Sequence, residues 1–406
     1  MTNKHHAATS DMRGLGQLTI DAIAGVVDLV EAMHVNIGSV PGFLRAKQPT
    51  RTTGITGFVY RSINGVISLV GKGLDRLLAT LNLPLGEAST WPGREPVLAA
   101  LNGVLGDYLA ASKNPLAIGM CLRRNGHTLP MEAKALAAAI PHAGGKLVVL
   151  VHGLCMNDLQ WRRKGHDHGA ALARDLGYTP VYLRYNSGLH VSANGRQLAR
   201  LLDTLLRIWP APVTQFAIIG HSMGGLIARS ACHYGAGARH DWPGRLDKLV
   251  FLGTPHQGAP LERGGNTVDL LLGISRYTAP FARLGKIRSA GITDLRYGNL
   301  VDSDWKGRDR FAHTGDIRSA VPLPDGVQCF NIAATVGKRE GDFRGRLIGD
   351  GIVPLASALG QNRKPGLALT FAASHQWIGR GMNHLDLLSR RSVYTRIRRW
   401  LAANGK

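Results

Sequence analysis

The chain has 406 residues, 44% of them hydrophobic, which is enough to bury one large core and an appended element. It contains no uncharged apolar stretch of about 18 residues, and the polar segment 1–13 lacks the apolar core of a secretion signal. These features exclude a membrane-spanning class and predict a cytoplasmic protein, with peripheral attachment to a membrane left open.

Three helical patterns with wide apolar faces come first, at residues 17–34, 58–81 and 96–111. They predict an N-terminal helical region over residues 1–113. We favour a small helical bundle docked on the rest of the chain. A membrane-surface anchor or an oligomerisation element is the alternative, and the oligomeric state stays open.

From residue 114 to residue 406 the pattern changes to alternating strands and helices, which predicts one α/β domain. A hairpin is expected at 120–129 around Asn125 and Gly126, and the apolar run 146–151 has the composition of a fully buried parallel strand. The next predicted elements are a helix near 169–176, a strand at 180–185 and a helix at 197–209. This alternation is typical of a doubly wound, mostly parallel sheet.

The segment 220–225, with the sequence GHSMGG, follows the apolar strand 216–219 and precedes a helical pattern. A serine flanked by glycines between a strand and a helix is the pattern of a nucleophile elbow, G-x-S-x-G. Gly220 and Gly224 have a steric reason, because a sharp strand-to-helix turn brings neighbouring backbones into contact. Ser222 is therefore the candidate nucleophile.

A serine nucleophile needs donors for the oxyanion, and the strand 146–151 ends in a suitable loop, 152–154. The backbone N–H groups of Leu154 and Met223 are the candidate donors. His152 is expected to brace this loop. His256, in the loop after the apolar strand 249–252, comes before the candidate acid in the chain, whereas the expected order is Ser, then Asp or Glu, then His. We therefore interpret it as a pocket-lining or hydrogen-bonded histidine rather than the base.

The acid and the base are expected after a long insertion at 260–325, which we interpret as a cap or lid, with an ordered surface excursion as the alternative. Asp350 follows the predicted strand 328–334 and is the candidate acid. His384 is the candidate base. His375, beside the apolar stretch 367–373, is the second choice and could instead be a strand-end histidine, and Asp386 is expected to be a helix N-terminal charge.

Cofactors and metals are not expected. The four cysteines lack metal or disulfide spacing and are interpreted as reduced core residues, and Cys155 is not expected to be a second nucleophile. His166 and His168 lack a third ligand nearby. No dinucleotide or phosphate-loop motif occurs.

The formal net charge of +22 is concentrated after residue 113, because the first 113 residues hold 10 Lys and Arg against 8 Asp and Glu. The densest basic clusters lie at 162–164 and 396–399. A positive field attracts polyanions, of which an anionic phospholipid surface is one. A solvated surface explains the same charge equally well. Nucleic acid is not expected, since the basic residues are not interleaved with aromatic ones.

Taken in chain order, five motifs resemble those of the α/β-hydrolase superfamily, and more narrowly those of bacterial lipases and of the alpha/beta domain of GPI inositol-deacylase-like proteins. These are VHGL at 151–154, GHSMGG at 220–225, LGTPHQG at 252–258, GDGIVP at 349–354 and NHLDLL at 383–388. The resemblance implies a triad of Ser222, Asp350 and His384, an oxyanion hole at Leu154 and Met223, and ester cleavage through an acyl-enzyme. The helical N-terminal region and the lack of a secretion signal fit a secreted triacylglycerol lipase poorly.

The resulting hypothesis is a serine hydrolase that cleaves carboxylic esters, with an acyl-lipid as the expected substrate. A thioesterase or an acyltransferase on the same triad is one alternative, because access of water or alcohol to the pocket decides the acyl acceptor. A non-catalytic binding protein that retains the hydrolase fold is another. The sequence does not indicate acyl length or head group.

Overall fold

The computed structural model describes residues 94–114, 116–259, 289–309, 315–339 and 348–403. The predicted helices at 17–34 and 58–81 lie outside these ranges. The third predicted N-terminal helix is present as α1, Arg94–Ala111, and the described residues from Leu98 onward belong to one compact unit with the sheet. None of the described helices is both long enough and apolar enough to cross a bilayer.

An eight-stranded sheet forms the centre of the described part, with the order β2-β1-β4-β3-β5-β6-β7-β8. The strands are β1 Cys121–Arg124, β2 His127–Thr128, β3 Lys146–Val151, β4 Thr179–Arg184, β5 Gln215–His221, β6 Lys248–Leu252, β7 Gln328–Thr335 and β8 Gln376–Arg380. Strands β3 to β8 are parallel, whereas β1 pairs antiparallel with β2 and β4. The predicted doubly wound, mostly parallel α/β architecture is confirmed.

The helices connect these strands across both faces of the sheet. After α1 they are α2 Ala133–Ala139, α3 His168–Leu176, α4 Val191–Ile208, α5 Met223–Gly237, α6 Trp242–Arg245, α7 Ala290–Asp294, α8 Leu355–Ala358 and α9 Arg391–Ala402. Strands β3 and β5 are buried almost throughout, so their side chains alternate between two apolar layers. One layer holds Val148, Leu150, Ala217 and Ile219 against α3 and α9.

The hairpin expected at 120–129 is present as β1 and β2. Its turn residues Asn125 and Gly126 both have positive φ, 50° and 79°. Asn and Gly adopt this region most readily, and a two-residue turn of this kind matches the twist of the paired strands. The hairpin therefore forms where the local sequence predicts it, at the edge of the sheet.

Two elements differ from the sequence prediction. Helix α4 begins at Val191 rather than at 197, because the weak helix formers at its start are buried: the Asn194 amide donates to the Asn186 carbonyl at 2.9 Å, and Gly195 packs against Ser230. Strand β8 begins directly after His375, so this histidine precedes a strand rather than ending one, and residues 368–372 of the neighbouring apolar stretch lie between two short 3-10 turns.

Candidate active site

Ser222 lies between the last residue of β5 and the first residue of α5. Its backbone has φ 54° and ψ −126°, a conformation that is unfavourable for a residue with a side chain. Its N–H donates to the Leu252 carbonyl at the end of β6, at 2.8 Å. A Cβ at Gly220 would come within 2.6 Å of the Gly225 Cα, and one at Gly224 within 2.5 Å of the His152 carbonyl. The glycines therefore have the steric role that the sequence predicts.

The predicted oxyanion loop lies directly beside this serine. A Cβ at Gly153 would be 3.0 Å from the Cβ of Ser222. The N–H groups of Leu154 and Met223 make no backbone hydrogen bond within the described ranges. Two backbone donors next to the serine are thus available to an incoming oxygen atom.

His152 is buried and stacks on the Tyr185 ring, with centroids 4.2 Å apart. The Tyr185 hydroxyl donates to the His152 carbonyl at 2.7 Å. Burial lowers the pKa of His152 to about 3, so the ring is neutral near pH 7. These contacts fit the bracing role expected for this histidine.

Asp350 and His384 form a buried pair at the carboxyl edge of the sheet. Nδ1–H of His384 donates to Oδ2 of Asp350 at 2.6 Å, and the His384 N–H donates to the Asp350 carbonyl at 3.0 Å. The other carboxylate oxygen, Oδ1, accepts the N–H groups of Ile352 and Val353 at 3.0 and 2.8 Å. The aspartate is therefore fixed on both oxygens, and the hydrogen bond from Nδ1 leaves Nε2 as the ring nitrogen of His384 that can accept a proton.

The Asp350–His384 pair lies close to Ser222, and the residues that follow β6 lie between them. A Cβ at Gly253 would be 3.2 Å from both Oδ2 of Asp350 and Cε1 of His384, and Gly253 directly follows the residue that accepts the Ser222 N–H. His221 donates from Nε2 to the His384 carbonyl at 3.3 Å, with ring centroids 4.7 Å apart. Nε2 of His384 is buried and makes no hydrogen bond within the described part of the chain, to the Ser222 hydroxyl or to any other group.

The other two candidate histidines, His256 and His375, contact other groups. His256 is buried, and its Nδ1 accepts from Nη1 of Arg229 at 3.4 Å. Burial, followed by the charge of Arg229, holds the pKa of His256 well below its usual range. The His375 ring packs on the Phe330 ring, with centroids 4.2 Å apart. Because His375 immediately precedes β8, it lies at the amino edge of the sheet, opposite the serine.

Asp386 lies in the 3-10 turn His384–Leu388, where it accepts from the N–H of Asn383 and forms ion pairs with Lys164 and Arg390, each at 3.2 Å. It therefore holds the turn that carries His384, as the expected N-terminal charge of a helical turn would.

Cys155 is buried, and burial raises the pKa of its thiol to about 12, so it is not a thiolate near neutral pH.

His166 donates to His168, which in turn donates to the Leu387 carbonyl at 2.9 Å. Within the described ranges, no three His, Cys, Asp or Glu side chains are grouped as metal ligands.

Part of the predicted insertion 260–325 lies outside the described residues, namely 260–288 and 310–314. In the described part, a Cβ at Gly291 would be 3.0 Å from Cε of Met223. The start of α7 therefore packs beside the nucleophile turn. A lid function for this insertion stays a prediction.

Sequence reasoning missed the residues behind the oxyanion loop. The Ser187 hydroxyl accepts the Cys155 N–H at 3.0 Å, and Gly103 of α1 packs against the same cysteine. No motif marks either residue. The one local sign of this contact is the presence of glycines in α1, because glycine is unfavourable inside a helix and its use there indicates close packing.

Residues 142–322 match the family model of the PGAP1-like alpha/beta domain, a range that includes Ser222 and the oxyanion loop but ends before Asp350. The chain is similar to the mature form of the lipase BlEst2 of Bacillus licheniformis, with 18% identity over 70% of this chain and 98% of that chain and a TM-score of 0.41. It is also similar to EstA from Clostridium botulinum (13% identity, 65% and 88% covered, TM-score 0.38) and to the esterase Pf2001 of Pyrococcus furiosus (13%, 64% and 81%, 0.38). Curated protein sequences give no match. With the sheet order described above, the α/β-hydrolase fold is confirmed.

Proposed function

We propose that this protein is a serine hydrolase that cleaves carboxylic esters. One observation carries the proposal. A strained serine directly follows β5 beside two backbone donors, and a buried aspartate–histidine pair lies at the same edge of the sheet. Among the described residues, neither donor makes a backbone hydrogen bond and Nε2 of the histidine has no hydrogen-bond partner. Ser222 would be the nucleophile, His384 the general base and Asp350 the residue that orients it.

The reaction follows from these positions. The Ser222 oxygen attacks the ester carbonyl while its proton passes to Nε2 of His384, and the carbonyl oxygen becomes an oxyanion held by the N–H groups of Leu154 and Met223. The intermediate collapses to an acyl-serine as His384 returns the proton to the leaving alcohol. Water then repeats the sequence, which releases the acid and restores the serine. Asp350 stabilises the imidazolium that forms in each half.

In this structure Nε2 makes no hydrogen bond to the serine hydroxyl. Hydrogen bonds between catalytic groups are often long without substrate and tighten only when the substrate binds. A rotation of either side chain during binding would therefore be part of the mechanism.

We infer that the substrate is an acyl-lipid ester. The motif resemblance to lipases supports this class, and the net charge of +22 supports an approach to anionic lipid surfaces. Hydrolysis of p-nitrophenyl esters of increasing chain length, with and without anionic vesicles, tests both inferences. A steady decline of kcat/KM with chain length, unaffected by vesicles, would contradict the acyl-lipid inference.

The nucleophile is tested separately. A fluorophosphonate probe should label Ser222 in the wild-type protein and leave Ser222→Ala unlabelled, and the alanine variant should lose several orders of magnitude in kcat while it stays folded. His384→Asn should behave similarly. His375→Asn is the matched control and should retain activity. Near wild-type turnover in Ser222→Ala would refute the assignment and would leave the non-catalytic binding protein as the better hypothesis.

A further inference from the structure

Helix α1 directly contacts the loop that carries the first oxyanion donor. A Cβ at Gly103 would collide with Sγ of Cys155 and come within 2.9 Å of its Cα and 3.0 Å of its backbone nitrogen. Cys155 follows Leu154 in the chain, and the two share a peptide bond. Only a glycine in α1 permits this approach of helix and loop.

Buried hydrogen bonds join α1 to the turn 186–188, which holds the same loop. The Asn186 amide donates to the Gly106 carbonyl at 2.9 Å, and the Cys155 N–H donates to the Ser187 hydroxyl at 3.0 Å. A Cβ at Gly106 would collide with the Asn186 side chain, so the helix and the turn are also in steric contact. The oxyanion loop therefore lies between two partners that are bonded to each other.

The first residues of α7 and the serine before them also contact α1 and the turn 186–188. The Ser289 hydroxyl donates to the Gly103 carbonyl at 2.7 Å, and the Ala290 N–H donates to Asp107 of α1 at 3.0 Å. The Gly291 N–H donates to the Gly188 carbonyl at 3.0 Å. Since a Cβ at Gly291 would also contact the Met223 side chain, these contacts reach both residues proposed as oxyanion donors.

The loop needs such support, because Cys155 has φ 57°, a conformation that a residue with a side chain rarely adopts. Strained backbone persists when its surroundings determine it fully. Oxyanion stabilisation in turn depends on donors that are fixed before the reaction starts.

We infer that α1 and the turn 186–188 position the oxyanion hole, with Gly103 and Ser187 as the positioning residues. The inference rests on the proposed hydrolase function and adds to it a helix that lies before the matched range 142–322. Neither residue touches the reacting atoms. They would act through Cys155 on the direction of the Leu154 N–H.

Gly103→Ala tests the inference, with p-nitrophenyl butyrate and its thiono analogue as substrates. The added methyl group should push the Cys155 peptide and misalign the donor, lowering kcat for the oxygen ester by about 10- to 100-fold with little change in KM, since full loss of one donor costs about 100- to 1000-fold. The thionoester should lose less, because its sulfur is a weak hydrogen-bond acceptor. Ser187→Ala should act in the same direction, and Gly103→Ala combined with Cys155→Gly should recover part of the loss.

Gly237→Ala is the matched control, because Gly237 is also a helical glycine but has open space where a Cβ would lie. It should leave both substrates unaffected. A folded Gly103→Ala protein with wild-type kcat, or equal losses for both esters, would overturn the inference. If Gly103→Ala does not fold, Ser187→Ala provides the test: a larger loss of kcat for the oxygen ester than for the thionoester would support the inference, and equal losses would overturn it. Ester turnover that does not depend on Ser222 would instead refute the proposed function, so the two failures are distinct.

Discussion

Replacing Asp350 with asparagine changes one atom and should nearly abolish turnover. Oδ1 of Asp350 accepts two backbone N–H groups, at 3.0 and 2.8 Å, so the amide oxygen of an asparagine must occupy that position. The amide NH₂ then faces Nδ1 of His384, at the site of the present 2.6 Å hydrogen bond. The amide NH₂ and an Nδ1–H group are both donors and cannot form this hydrogen bond, so a neutral imidazole must carry its proton on Nε2 instead. The base then has no lone pair toward Ser222.

The expected size of this effect follows from the wrong tautomer. In a serine protease triad the equivalent change lowers kcat by about 10⁴-fold, which corresponds to about 5 kcal/mol of transition-state stabilisation. Steady-state kinetics on p-nitrophenyl butyrate would measure the loss, and thermal unfolding would show that the protein remains folded. Asp302→Asn is a suitable control, because the partners of Asp302 are Arg196, Lys306 and Ser192, away from the site. A loss below tenfold in a folded Asp350→Asn protein would refute the tautomer argument.

Three further predictions concern stability and reactivity. Burial lowers the pKa of His168 to about 4, so the unfolded chain takes up a proton below about pH 6.5 that the folded chain does not, and stability should fall by about 3 kcal/mol between pH 6.5 and 4. Urea unfolding at several pH values should show this decline, and a smaller decline in His168→Asn; equal slopes would contradict it. Gly253→Ala should reduce both stability and kcat, because φ is 58° and the new methyl group would press on Asp350, as differential scanning fluorimetry and kinetics would reveal. Unchanged values for both would count against the described packing. Iodoacetamide at pH 8 should leave Cys155 unmodified and activity intact, since burial raises the pKa of that thiol to about 12; rapid alkylation detected by peptide mass spectrometry would disagree.

The sequence predicts well those features whose cause is local. The apolar run 146–151 forms a central strand because each residue is compatible with burial on both faces, and Ser222 lies on its turn because the flanking glycines permit the contact. The Asn125–Gly126 turn has a similarly local cause. For such features, the residue type and its neighbours in the chain contain most of the information.

Features that depend on distant partners were not predictable. Gly103 is glycine because of Cys155, 52 positions later in the numbering, and no local pattern reports such a contact. Helix α4 starts earlier than its composition indicates because Asn194 and Gly195 find buried partners. Strand β8 is short and only partly buried at the sheet edge, so it lacks the apolar run that marks the central strands.

The backbone of Ser222 has a consequence for protein engineering. A non-glycine residue at φ 54° costs on the order of 1–3 kcal/mol. Ser222→Gly would relieve that cost and should raise the melting temperature while it removes the nucleophile. A library of variants sorted by heat resistance alone would thus enrich inert proteins at this position, and any such selection should include a turnover step.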